Sequence, residues 1–385
     1  ANEIGLRFAA QFPGHPQAPA VRTNVAEEYF AEGQLDAAIS VAALVVTMQP
    51  PASIALERTA WTVIAHSQFD LARYGEAERA YVRLKQFPSG DSLSIAEIDR
   101  RIAASIYHQG EALQASGDMD AAVEAYLRVA VDTPESEIAP TGLYDAAALL
   151  IQAERWPAAI EVLARFRERY PSHPRNDDVT RKLAVANQSD ARYGSAAVEY
   201  ERVADQASLD EATRREALWL AADLYGQAEQ VTNQIRVLET IVTRFPWPVA
   251  ESIEARQQLA DLAEDPTDRL RWLEAIIEVD AAAGTARTAR TTTLAAHAAL
   301  ELAAQPRDAF NAIGLTAPLK DALRIKKQQM ELALAAYGRA AAYGISDITT
   351  EATYRIGELY FRLSQDLMAS ERPAELADEE LEQYE

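Results

Sequence analysis

The chain has 385 residues, among them 59 acidic and 37 basic ones, which give it a formal net charge of −22. This charge repels nucleic-acid phosphates and anionic membrane surfaces, so we expect neither as a partner. The chain contains no cysteine, which excludes disulfides, thiolate metal sites and cysteine nucleophiles and fits an oxidising compartment. No apolar run approaches the roughly 20 residues that span a bilayer, so we expect no membrane insertion by these residues.

The composition favours packed helices. Hydrophobic residues make up 49% of the chain and many of them are alanine, whereas aromatic residues make up 8% and glycines number 15. Alanine loses no side-chain entropy in a helix and lets two helices approach closely. Runs with the period-two alternation of strands are nearly absent. The sequence therefore predicts an all-α fold.

A repeated pattern of paired helices organises the chain from residue 17 to about residue 280. Seven times, an amphipathic helix is followed by a break and by a second helix with a small residue four positions before an aromatic residue or leucine. Anchor positions in successive second helices are 37 to 45 residues apart, a spacing typical of solenoids built from helix pairs. The six clearest anchors are Ala38, Ala77, Ala122, Ala159, Ala196 and Gln234.

The first helix of each pair carries a matching pattern of large and small residues. We expect a small residue where the second helix crosses at close range, with large side chains filling the space beside it. Gly110 and Ala147 are the small residues of the third and fourth pairs. The same pattern is present at Trp61, Ile64 and Ala65, at Leu143 and Leu150, and at Leu218, Ala222 and Tyr225.

Three phrases close a helix with an aromatic residue and a proline, namely 12–16 (FPGHP), 166–174 (FRERYPSHP) and 244–246 (RFP). Proline cannot continue a helix, and the ring before it can cover the exposed helix end. With the helix pairs, these phrases resemble the tetratricopeptide repeat family. They are most similar to the subtype found in the lipoprotein of the outer-membrane β-barrel assembly machinery and in the periplasmic coordinator of the Tol-Pal system.

The resemblance implies a right-handed α-solenoid that binds partner proteins or peptides in a concave groove. It also implies a periplasmic or outer-membrane-associated location in a bacterium, with partners among the envelope components. Any signal or anchor would lie outside this chain. Because the chain starts without methionine and ends within a helical pattern, we expect the native protein to extend beyond it.

The chain changes character after about residue 284. Its sequence predicts helices at 285–304 and 307–313 and an unusually long one at 318–343, followed by another first-helix pattern and a strongly acidic tail at 371–385. This part resembles envelope repeat proteins that accompany gliding-motility and Tol/Exb-type energised systems. We therefore expect three parts, with an amino-terminal segment at 1–16, a solenoid of about seven helix pairs at 17–283 and a helical extension at 284–385.

No residue pattern indicates catalysis, and we expect neither a cofactor nor a bound metal. The five histidines are scattered, and none has a partner at metal-ligand spacing. Nucleophile elbows and phosphate-binding glycine loops are missing from the sequence. Two alternatives to a binding scaffold stay open. One is a self-associating spacer that uses the long helix and the acidic tail, and the other is an all-helical glycan-processing enzyme with a carboxylate pair.

The candidate binding residues occupy the groove-facing position of successive first helices. Aromatic residues and arginine on one face are the types enriched at interaction hot spots. The alternative is that the tyrosine and tryptophan rings merely pack between adjacent repeats. Counted from the repeat anchors, the predicted groove residues are Thr62, Tyr107, Tyr144, Arg181 and Trp219.

Overall fold

The computed structural model describes residues 2–88, 93–316 and 319–370. Within these ranges the regular structure consists of α-helices and one short 3-10 helix at Gly284–Ala286, with no strand, so the predicted all-α fold is confirmed. The α-helices are α1 Asn2–Gln11, α2 Ala18–Ala31, α3 Leu35–Val46, α4 Ile54–Asp70, α5 Tyr74–Leu84, α6 Ile95–Ser116, α7 Met119–Asp132, α8 Ala139–Gln152, α9 Trp156–Arg169, α10 Asn176–Ser189, α11 Tyr193–Ala204, α12 Glu211–Gln227, α13 Val231–Arg244, α14 Val249–Leu262, α15 Pro266–Ala282, α16 Ala289–Leu302, α17 Ala304–Ala312, α18 Leu319–Ala341 and α19 Ser346–Met368.

The helices of all seven predicted pairs are present. First helices are the even-numbered α2 to α14, and second helices are the odd-numbered α3 to α15. The four helices predicted after residue 284 are also present as α16 to α19. The acidic tail at 371–385 lies outside the described residues. An additional helix, α1, precedes the first pair and packs on α2.

The turn between first and second helix has the same backbone geometry in six pairs. One residue of each turn has a positive φ, and the next residue's N–H bonds back to a carbonyl five positions earlier, as in a Schellman motif. Glycine adopts this conformation without a steric penalty, but only two of the six turns use it. The positive-φ residues are Gly33, Ala72, Gly117, Glu154, Ala191 and Glu229.

Small residues let consecutive helices approach closely, as the sequence predicted. A Cβ added at Gly110 of α6 would lie 2.7 Å from the ring of Tyr126 in α7. A Cβ added at Gly142 of α8 would lie 2.6 Å from the backbone oxygen of the same Tyr126 and 3.2 Å from Val129. Tyr126 is therefore enclosed between two first helices that can approach it only where they carry glycine.

The chain forms two compact units, Ala1–Glu199 and Tyr200–Glu385, with the boundary inside α11. In the first unit, each helix from α1 to α9 packs on the next one in the chain. Its core contains the fully buried Tyr81, Leu143 and Phe166. In the second unit, α12 to α16 also pack in sequence, and α16 contacts both α18 and α19.

The two loops that contain His15 and His173 have the same structure. The imidazole Nδ1 of each histidine accepts a hydrogen bond of 3.2 Å from the backbone N–H two residues later. Each ring also packs edge-on against a phenylalanine of the preceding helix, with centroids 5.1 Å apart at Phe8 and 5.2 Å apart at Phe166. Both histidines are inter-repeat loop residues, as predicted, and their side chains stabilise the loop.

A buried lysine joins α17, α18 and α19 in the second unit. The side chain of Lys326 is fully buried, and its Nζ lies 2.6 Å from a carboxylate oxygen of Asp366. The same Nζ donates hydrogen bonds to the backbone oxygens of Ile313, at 2.7 Å, and Phe310, at 3.2 Å. The charge is thus compensated where it is removed from water, which a buried cation requires.

Replacing Gly142 by alanine tests the close approach of α8 to α7. In an ordinary helix this change is stabilising, but here the added methyl group meets a backbone oxygen that cannot rotate away. We expect a loss of about 1 to 3 kcal/mol in the free energy of unfolding, measured by chemical denaturation. The matched control is Gly75→Ala in α5, where the nearest atom would lie at 3.7 Å, an ordinary contact distance. Equal effects of the two changes would contradict the close approach.

Candidate partner-binding surface

The five predicted groove residues all lie on first helices and all are partly buried. Four of them belong to the first unit, on consecutive first helices α4, α6, α8 and α10. The fifth, Trp219, lies on α12 in the second unit. The first unit therefore presents Thr62, Tyr107, Tyr144 and Arg181 as a series, one residue per helix pair, and Trp219 is described separately.

Two of these residues connect consecutive first helices through hydrogen bonds. The Tyr107 hydroxyl in α6 donates to Oδ2 of Asp145 in α8 at 2.7 Å. The Tyr144 hydroxyl in α8 donates to Oδ2 of Asp178 in α10 at 2.5 Å. Burial raises the pKa of both tyrosines, and the bonded carboxylate raises it further; the pKa of Tyr144 reaches about 12. Both phenols thus stay protonated at neutral pH and remain donors.

Cationic side chains surround Tyr144. The guanidinium of Arg175 lies 4.3 Å from the centre of the Tyr144 ring, and Nζ of Lys182 lies 5.4 Å from it, both within the range of cation–π attraction. Nη2 of Arg181 lies 3.3 Å from Asp178. Burial by itself acts to raise the pKa of Asp178, but the bond from Tyr144 and the neighbouring Lys182 and Arg181 lower it below its usual range.

Thr62 and Trp219 have different environments from the tyrosines. The Thr62 hydroxyl donates to the backbone oxygen of Arg58 in its own helix at 3.0 Å. The indole Nε1 of Trp219 is buried and has no hydrogen-bond acceptor among the described residues. A buried donor without an acceptor costs free energy. Neither residue therefore takes part in a bond of the kind that Tyr107 and Tyr144 make.

In the second unit, arginine–carboxylate pairs take the place of tyrosine–aspartate bonds and connect α14 with α12, the preceding first helix, and with α16, which follows the seventh helix pair. Nε of Arg215 in α12 lies 2.6 Å from Oε2 of Glu251 in α14. Nε of Arg290 in α16 lies 2.6 Å from Oε1 of Glu254, also in α14. The two residues of each ion pair lie about one repeat apart in the sequence, as do the bonded residues of the first unit. A polar connection between consecutive first helices therefore occurs in both units.

The sequence reasoning missed the acceptors of these bonds. Asp145 and Asp178 follow their tyrosine donors by 38 and 34 residues, close to one repeat length. The sequence signal that could have identified these acceptors is a carboxylate about one repeat length after each groove tyrosine. The prediction considered each first helix alone, which hid this pairing.

An open cleft of about 690 Å³ lies beside Tyr107. Its walls come from α6, α7 and α8 and include Tyr107, Glu111, Tyr126 and Asp145. Among the residues that the structure describes, no group of three histidine or acidic side chains could hold a metal ion. None of the described helices combines the length and apolarity that a membrane span requires.

No protein-family model and no curated protein sequence matches the chain. Several solved structures are similar to it. A tetratricopeptide repeat protein from Parabacteroides merdae has 15% identity and a TM-score of 0.28, covering 72% of this chain and 98% of its own. The C-terminal part of a TPR repeat-containing protein from Cytophaga hutchinsonii has 14% identity and a TM-score of 0.30, covering 69% and 97%. BtubC from P. vanneervenii has 16% identity and a TM-score of 0.29, covering 61% and 92%.

At such identities and TM-scores, the description as tetratricopeptide-like helix pairs rests on the chain's own features. These are the repeat of 37 to 45 residues, the small residues at helix crossings and the recurrent positive-φ turn.

The change Tyr144→Phe removes the hydrogen bond to Asp178 and tests the connection between α8 and α10. At pH 7 we expect the free energy of unfolding to fall by about 1 kcal/mol. Since the pKa of Asp178 is lowered in the folded chain, this contribution is present above the usual carboxyl pKa of about 4. It is lost as the pH falls through the folded-state pKa.

Denaturation of both proteins between pH 7 and pH 3 measures this difference. The control is Tyr74→Phe in α5, because the Tyr74 ring packs on Phe69 and His108 while its hydroxyl makes no hydrogen bond among the described residues. A difference that stays constant over the whole pH range would show that Tyr144 acts through packing alone.

Proposed function

We propose that this protein is a non-catalytic scaffold of the bacterial cell envelope that binds partner proteins or peptides along its first helices. The observation that carries the proposal is the series of partly exposed Tyr107, Tyr144 and Arg181 on consecutive first helices of the first unit. Tyrosine and arginine provide much of the binding energy at protein interfaces. A solenoid displays such residues in a row because each repeat repeats the orientation of the last.

The hydrogen bonds between first helices also favour binding. Each tyrosine hydroxyl is fixed to a carboxylate of the next helix, while part of its ring remains exposed. A side chain that is already ordered loses less conformational entropy when a partner docks on it. The bonds are therefore compatible with both interpretations of these tyrosines, as binding residues and as packing residues, because the same ring can pack between repeats and still contact a partner.

Two sequence features support the envelope location. The chain has no cysteine, which suits an oxidising compartment. The phrases around His15 and His173 resemble those of envelope-associated tetratricopeptide proteins.

The proposed absence of catalysis agrees with the cleft of the first unit. A helical glycan-processing enzyme would need two facing carboxylates in a deep pocket, with one free to act as acid or base. This cleft is open to solvent, so the two carboxylates that line it, Glu111 and Asp145, are not enclosed in such a pocket. The chemistry of the cleft therefore suits recognition better than glycan cleavage.

The change Arg181→Ala tests the binding surface. With the full chain as bait in periplasmic extract of the source organism, we expect to recover a stoichiometric partner. In this variant we expect the free energy of binding to that partner to weaken by about 1 to 3 kcal/mol. The matched control is Arg165→Ala on the second helix α9. Both arginines pair with a carboxylate of their own helix, and their side chains are 41% and 42% exposed, respectively.

Equal losses in the two variants would contradict a binding surface on the first helices. A partner recovered only from cytoplasmic extract would contradict the envelope location. Unfolding of each variant by heat provides the check that the fold is intact.

Self-association is a second candidate function, favoured by an exposed apolar face on α19. Tyr354, Phe361 and Met368 are 60%, 66% and 86% exposed, and they follow one another at intervals of seven residues along this helix. Residues seven apart lie on the same face of a helix. Exposed apolar faces of this kind mark interaction sites in soluble proteins.

Light scattering on the full chain tests this second function. Self-association through α19 predicts a mass about twice the 42.3 kDa of one chain, reduced to 42.3 kDa by Phe361→Glu. Val131→Glu on α7 is the control, since Val131 is also 66% exposed. A chain that is monomeric at all concentrations, or equal effects of both variants, would contradict self-association through α19.

A further inference from the structure

The cleft between α6 and α8 combines aromatic rings with carboxylates. Tyr107 and Tyr126 contribute rings whose centroids lie 5.1 Å apart, and Glu111 and Asp145 contribute the carboxylates. Its volume of about 690 Å³ lies within the range of sites that bind small groups or side chains. Among the described residues that line it, none is a lysine or arginine.

The charged side chains that line this cleft are the carboxylates of Glu111 and Asp145. Burial raises the pKa of Tyr126 to about 12, and the charges of Asp145 and Glu111 act in the same direction. The pKa of Tyr107 is raised by burial first and then by its bond with Asp145, with Glu111 adding to the effect. The charges of the two carboxylates therefore act on both phenols. The same charges would attract a cation placed beside the rings.

Hydrogen-bond acceptors remain available in the cleft. Oδ2 of Asp145 accepts the Tyr107 hydroxyl, whereas its Oδ1 has no hydrogen bond among the described residues. Glu111 contacts Nδ1 of His108 through Oε2 at 2.6 Å, and half of its side chain is exposed. Each carboxylate thus has one oxygen that can accept a hydrogen bond from a ligand.

We propose that this cleft receives an arginine side chain of the protein partner. The inference rests on the proposed binding function and specifies the chemistry of one contact. A guanidinium is planar, carries five N–H donors and stacks on aromatic rings, so it can use the Tyr107 ring and the free oxygens of Asp145 and Glu111 together. A net charge of −22 steers basic segments towards the chain over longer distances.

The methionine methyl groups provide a site-specific probe. The chain has four methionines, and Met119 of α7 lines the cleft. Met48, Met330 and Met368 do not line it and serve as internal references. The full chain with carbon-13 methionine methyl groups is titrated with the peptide acetyl-Ala-Ala-Arg-Ala-Ala-amide, and Met119→Leu assigns the resonance.

We expect a saturable shift of the Met119 resonance that weakens with added salt. Replacing arginine in the peptide by citrulline, its neutral isostere, should weaken binding about tenfold, and replacing it by lysine about threefold. In the protein, Glu111→Gln and Asp145→Asn should each weaken binding about threefold to tenfold. Both changes keep an acceptor oxygen for His108 or Tyr107. The control is Glu124→Gln, an exposed carboxylate of α7 outside the cleft, with no expected effect.

Equal binding of the arginine and citrulline peptides, or no shift of Met119, overturns the cleft as a guanidinium site. Equal binding of the lysine peptide overturns its selectivity for arginine. None of these results contradicts the proposed binding function. That function is contradicted only if the full chain recovers no partner or if Arg181→Ala and Arg165→Ala weaken binding equally.

Discussion

The close approach of consecutive helices is the constraint on which the first unit depends. Tyr126 of α7 lies against Gly110 of α6 and Gly142 of α8, and a single methyl group at either glycine would meet it at less than 3 Å. This contact fixes the spacing of α6 and α8 on both sides of α7. Because that spacing is fixed, the hydroxyl of Tyr107 on α6 reaches Asp145 on α8, and the cleft between the two helices keeps its width.

The polar bonds between first helices add a second level of order. Burial of apolar side chains holds each helix pair together but does not fix how far one first helix slides along the next. Directional hydrogen bonds do so, from Tyr107 to Asp145 and from Tyr144 to Asp178. The same residues stand at the exposed face, so the bonds that order the repeats also hold the proposed binding residues in place.

Helix positions could be predicted from the sequence because a repeat presents the same signal many times. The small residues Gly110 and Ala147 were found for the same reason. The positive-φ residue Glu154 was not, because its side chain does not favour that conformation and only the geometry of the turn imposes it. The bounds of helix α1 were not predicted, although the phrase at 12–16 indicated a helix that ends there, and Phe8 and this loop repeat the pattern at Phe166 and 170–174. Handedness of the solenoid, its division into three parts and the five groove residues stay predictions.

The central claim is that partners bind the exposed face of the first helices. Carboxylate footprinting of the full chain, with and without its purified partner, tests it most directly, since the chain carries 59 acidic residues to label. The account predicts that Glu111 and Asp178, on α6 and α10, lose reactivity in the complex, while Glu124 and Glu161, on the second helices α7 and α9, keep theirs. Protection of Glu124 and Glu161 with unchanged labelling of Glu111 and Asp178 would contradict the claim.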